Sequence, residues 1–115
     1  MNAYDRLKKF REFKDGWHGE GSLAPSHEGL AWLETALKRA SLPSPYVYPT
    51  YEGEVRFEWT FTPKEASLVV NLETKQGLWD WTNTEVEEGD DQTLDLNLDE
   101  NWAYVAEALQ MLSSY

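Results

Sequence analysis

The spacing of apolar positions divides the chain into two regimes. From residue 2 to residue 14, Ala3, Leu7, Phe10 and Phe13 recur at three- and four-residue intervals, with Tyr4 on the same side. That spacing predicts a helix over 2–14. Lys8, Lys9, Arg11 and Lys14 occupy its remaining surface, where cations suit a helix C-terminus, and Gly16 stands where a left-handed residue would end it. A second helix is expected after Pro25, with Ser26 as N-cap and Glu28 in the first turn. Leu30, Leu33, Leu37 and Ala40 form its apolar stripe, Trp32 and Ala36 widen it, and "SLPSP" (41–45) ends it.

From residue 46 the period becomes two. Tyr46-Val47-Tyr48 reads as a short strand stopped by Pro49, and "YEGE" (51–54) as a turn. In "EVRFEWTF" (54–61), Val55, Phe57, Trp59 and Phe61 alternate with Glu54, Arg56, Glu58 and Thr60, which predicts a strand with one buried face. "TPKEA" (62–66) is expected to turn into the strand "SLVVNLE" (67–73), and "TKQG" (74–77) into "LWDWTNT" (78–84). "EVEEGDD" (85–91) reads as an acidic loop before a strand "QTLDLNLD" (92–99), with Leu94, Leu96 and Leu98 inward. Asp99 is the expected cap of a last helix with the stripe Trp102, Val105, Ala106, Leu109 and Leu112.

The order is α-α-β-β-β-β-β-α with short connections, so consecutive strands are antiparallel neighbours. The expectation is a single α+β domain over 1–115. It has two layers: an antiparallel sheet of about five strands, with the N-terminal helix pair and the C-terminal helix packed on one face. The other face is wet.

Composition narrows the classes. No apolar run approaches the roughly 18 residues a membrane span needs, and "MNAYDRLKKFREF" has no secretory apolar core. With zero Cys there is no thiol chemistry and no Cys-based zinc site. The expected location is the bacterial cytoplasm. Six Trp must be buried or used at an interface.

Charge changes the picture most. The net charge is −11, and residues 1–75 hold all ten Lys/Arg against eleven acids, a balance of −1. Residues 76–115 hold ten acids and no Lys or Arg, a balance of −10. Within 85–100, Glu85, Glu87, Glu88, Asp90, Asp91, Asp95, Asp99 and Glu100 make eight acids, and Asp80 precedes them between Trp79 and Trp81. With the leucines inward, Asp80, Asp95 and Asp99 are expected on the wet face. Alternate residues of a strand lie ~6.6–6.8 Å apart, near two steps of the ~3.4 Å charge spacing along one DNA strand. Carboxylates crowded without local cations repel one another, so their concentration in one segment implies a basic partner.

Other chemistry is less well served. His18 and His27, with Asp15, Glu20 and Glu28 nearby, could supply a base or hold a metal, but no ligand signature is present. "EVEEGDD" lacks calcium-loop spacing, and "GWHGEGS" has no Lys and no preceding strand, so it is not a phosphate loop. Trp79 and Trp81 share a strand face and could stack a sugar, although the same face must also form core. Neither an enzyme nor a cofactor or metal site is expected.

Two resemblances add to this. "DGWHGEGS-AP", the helix after it and "EGEVRFEW" resemble a loose family of small uncharacterised bacterial and phage proteins with a GW-x-G-x-G loop, over about Asp15 to Trp59. Such a likeness implies a shared fold. The small size, absence of Cys and lopsided acidity resemble anti-CRISPR proteins that imitate DNA. That likeness implies a phage inhibitor of a type I CRISPR surveillance complex, the type I-C complex among them, acting on its DNA- or PAM-binding groove. No residue roles carry over from that likeness; the charge argument alone makes the acids from Asp80 to Glu100 the expected contacts to a basic nucleic-acid-binding subunit, with no direct contact to nucleic acid or membrane. An antitoxin- or immunity-like protein that neutralises a basic toxin enzyme is the alternative. A carbohydrate-binding module, or a small enzyme using the His18 loop, is the third.

Overall fold

In the computed structural model, residues 2–114 are described. Helix α1 (Ala3–Phe10) opens at Asn2, whose side-chain oxygen accepts from the Asp5 amide at 2.9 Å. It ends earlier than the periodicity suggests. The amides of Arg11, Glu12 and Phe13 donate to the carbonyls three residues back, so the last turn tightens instead of continuing as α-helix. Helix α2 (His27–Arg39) starts as expected, with Ser26 Oγ accepting from the Gly29 amide at 3.0 Å. Leu30, Leu33, Ala36 and Leu37 are its buried side.

Five strands follow: β1 (Tyr46–Pro49), β2 (Val55–Phe61), β3 (Lys64–Val70), β4 (Gln76–Asn83) and β5 (Glu88–Asp95). They form one antiparallel sheet in the order β1-β2-β3-β4-β5, and helix α3 (Asp99–Ser113) completes the chain. This is the expected α+β architecture. A single buried cluster joins Leu7 and Phe10 of α1, Leu30 and Leu33 of α2, and Trp102, Val105 and Leu109 of α3 to one face of the sheet. That face contributes Val47, Val55, Phe57, Trp59, Leu68, Val70, Trp79 and Leu94.

Three local expectations change. "TPKEA" is not a five-residue turn: Thr62 and Pro63, joined by a cis peptide bond, close the hairpin, and Phe61 pairs with Lys64. "EVEEGDD" is mostly strand. Residues 84–87 make the turn, while Glu88, Gly89, Asp90 and Asp91 pair with Asn83, Thr82, Trp81 and Asp80. Ladder hydrogen bonds come from the backbone, and an edge strand lets charged side chains reach water, so acidity does not exclude a strand there.

The end of β5 also differs. Asp95 Oδ1 accepts from both the backbone and side-chain nitrogens of Asn97 at 3.0 Å and turns the chain. Leu96 stays buried, but Leu98 is 44% exposed and takes the N-cap position, with no side-chain cap bond. Asp99 is therefore the first residue of α3 and not its cap. It still sits in the first turn, where a carboxylate suits the helix dipole.

The other end of α3 has no basic residue in its last turn. Lys64 supplies a cation from β3: its side chain is 7% exposed, and Nζ donates to the Leu112 carbonyl at 2.9 Å. Among the described residues, no helix is long and apolar enough to cross a membrane.

Candidate functional site

The glycine-rich loop satisfies itself. The Gly16 amide donates to the Ser22 carbonyl at 2.8 Å, and buried Ser22 Oγ accepts from the His18 amide and donates to the Gly19 carbonyl. Asp15 Oδ1 accepts from the Ala24 amide at 3.0 Å. Gly21 has φ of +86°, and a Cβ there would stand 2.7 Å from the Tyr51 hydroxyl, which donates to the Glu20 carbonyl. The left-handed φ is what favours glycine there, since the tyrosine hydroxyl could move aside.

Trp17 is half-buried, stacks on Phe13 with ring centroids 5.0 Å apart, and donates from Nε1 to the Leu23 carbonyl. The exposed His18 ring leans on Trp17. His27 instead meets the Arg11 carbonyl at 2.9 Å through Nε2. The two histidines do different jobs, and no group of three His, Asp or Glu among the described residues could hold a metal. The loop reads as a clasp between α1, α2 and the β1–β2 turn.

Trp79 and Trp81 also part company. Trp79 is 1% exposed and belongs to the core, so it offers no stacking surface; Trp81 is half-buried.

The β4–β5 hairpin carries most of the acids, but strand parity distributes them around it. Asp80, Asp91 and Asp95 lie on the open face of the sheet, opposite the helices. Glu85 and Glu87 form the turn with Val86, which is 60% exposed. Glu88 and Asp90 share the helix-side face with Leu94, because they are an even number of residues away from it. Asp99 and Glu100 are not on the wet face at all. They open α3, where Asp99 lies 3.5 Å from Arg39, an exposed pair of little energetic weight.

The carboxylates also differ in what occupies them. Asp95 is committed to Asn97, and Asp90 Oδ1 accepts from the Asp91 amide at 2.9 Å. Asp80 and Asp91 are register partners on adjacent strands, with like charges directly opposed. Such a pair is destabilising unless a cation intervenes. The cation of the open face, Arg56, is held by Glu58 at 2.7 Å. Ser67 is the register partner of Asp80 on its other side and of Glu58 beyond, so the row Glu58-Ser67-Asp80-Asp91 crosses the sheet. A shallow polar hollow of about 170 Å³ lies at Ser67, lined in part by Glu58, Glu65 and Asp80. Sequence reading did not single out Glu58 or Glu65, which join the acids only through lateral pairing.

The fold and the site together define an α+β domain with an acidic, uncovered hairpin at one sheet edge. No protein-family profile matches the chain, and no curated protein or solved structure is similar to it.

Proposed function

We propose that this protein is a non-enzymatic inhibitor whose acidic β4–β5 hairpin occupies the DNA-binding groove of a basic nucleic-acid-binding protein. One observation carries the reading. The hairpin is an edge ribbon with carboxylates on its open face, its turn and its helix side, and with no Lys or Arg between residues 76 and 98. A sheet edge needs only a few charges to discourage pairing with other chains. Asp91 lies on the edge strand, but Asp80, opposed to it, lies one strand in from that need, and the pair is relieved when a partner brings lysine or arginine between them.

The partner class is a type I CRISPR surveillance complex, as the resemblance to DNA-imitating anti-CRISPR proteins suggests. Seated in the groove that reads duplex DNA, the ribbon competes with the phosphate backbone for the same cations. Binding weakens as salt rises, because the charge pairs at a wet interface are screened.

The test is competition between this protein and PAM-containing duplex DNA for a purified type I complex. The wild type should displace the duplex. The triple variant Glu85→Lys, Glu87→Lys and Asp91→Lys, at three exposed positions, should not, while its circular dichroism spectrum stays unchanged. Undiminished competition by that folded variant would sink the mechanism.

A further inference from the structure

The helix side of the same hairpin carries a different feature. Core packing stops at Trp81, because the inward positions of β5 before Leu94 are Gln92, Asp90 and Glu88, which α3 does not cover with apolar side chains. A groove of about 660 Å³ remains between the hairpin and α3, within the range of ligand-sized sites. Trp81 forms its sheet wall, and Tyr104 and Met111, 41% and 62% exposed, line its helix wall. The Tyr104 hydroxyl accepts from Gln92 Nε2, which fixes that ring across the gap between helix and strand. Glu88 from β5 and Glu107 from α3 complete the lining from opposite sides, both exposed and neither in an ion pair among the described residues. Lys64 also lines the groove, and its Nζ donates to the Leu112 carbonyl.

We infer that this groove receives an arginine side chain from a basic segment of a partner protein. A guanidinium stacks on an indole or phenol face and donates hydrogen bonds to carboxylates at its edges. Here the two aromatic rings come from the same walls as the two unpaired carboxylates. Met111 is the unbranched, adaptable side chain that an aliphatic stem packs against. An uncharged apolar ligand would take water from both exposed carboxylates and bring no charge in exchange, and an acidic ligand would be repelled by them and by the hairpin. The occupant is therefore cationic, and its flat, delocalised form suits the aromatic walls better than a compact ammonium. This site does not depend on the open-face competition proposed above and can stand if that reading fails.

The test is a nuclear magnetic resonance titration of the full chain with a short acetylated peptide carrying one arginine between two leucines. Controls replace the arginine with citrulline, which keeps the shape and loses the charge. The arginine peptide should shift the Trp81 indole N–H and the Met111 methyl signals first. The citrulline peptide should bind roughly tenfold more weakly or worse, as should the wild-type peptide to the Glu88→Gln, Glu107→Gln double variant. Tyr104→Ala and Met111→Ala, at exposed helix positions, serve as a second pair of variants that weaken binding without touching charge. Asp91→Lys should leave the Trp81 response in place, which separates this site from the open face. Equal binding of the citrulline peptide, shifts spread evenly over the acidic hairpin, or no response at millimolar peptide would each overturn the inference.

Discussion

Replacing Asp80 with asparagine removes one member of the opposed pair on the open face and changes little else. Among the described residues the Asp80 side chain makes no hydrogen bond, and asparagine keeps its shape. Register partners on adjacent antiparallel strands place their Cβ atoms ~4.5–5.5 Å apart. Two unit charges about 5 Å apart in a water-like dielectric repel by about 0.8 kcal/mol. Screening with a Debye length of ~8 Å at physiological salt cuts that roughly in half, and ~3 Å at 1 M salt leaves about a fifth of it.

Asp80→Asn should therefore raise stability by about 0.4–0.8 kcal/mol at low to physiological salt and by only about 0.1–0.2 kcal/mol at 1 M. In a domain of this size that is a Tm increase of about 2–5 °C. Urea denaturation followed by tryptophan fluorescence at two salt concentrations measures it. The gain should also vanish in an Asp91→Asn background, because the repelling partner is already gone. A loss of stability, a gain independent of salt, or an undiminished gain in that background would refute the argument that these charges strain the free protein.

Two further outcomes follow from the geometry. Gly89 faces Thr82 across the hairpin, and a Cβ there would stand 2.5 Å from the Trp81 carbonyl oxygen, so Gly89→Ala must push β5 away from β4. It should cost about 1–3 kcal/mol in thermal or chemical denaturation, and the hairpin amides should lose hydrogen-exchange protection before the rest of the sheet does. Glu54, by contrast, is half-buried, and burial, with the charge of Glu52 beside it, raises its pKa above the ordinary value of 4.5. A carboxyl that binds its proton more tightly in the folded state loses stability as pH rises from 4.5 through the raised value. Glu54→Gln should therefore be more stable than the wild type at pH 7 in chemical denaturation, with the difference disappearing below about pH 4.

Much of the fold is legible along the chain because local physics dictates it. Ser26 before an apolar stripe becomes a cap bonded to Gly29, and the alternation of Val55, Phe57 and Trp59 becomes a buried strand face. The order of helices and strands, with short connections, leaves neighbouring antiparallel pairing as the simple solution, and that is the sheet formed. The concentration of acid in the last third is likewise a property of sequence alone. One boundary that failed was set by lateral pairing: backbone hydrogen bonds from β4 made a strand of "EGDD", against the acidity of its side chains.

Tertiary structure decided what the acids can do. Which face each carboxylate reaches depends on the parity of β5 relative to Leu94, and the turn at Asp95 ended that alternation before Leu98 and moved Asp99 to a helix start. The opposition of Asp80 to Asp91, the row that adds Glu58, and the groove where Glu88 meets Glu107 join residues far apart in the chain. A one-dimensional pattern fixes period and composition, but only the register between strands and the seat of a helix on them set distances across the fold.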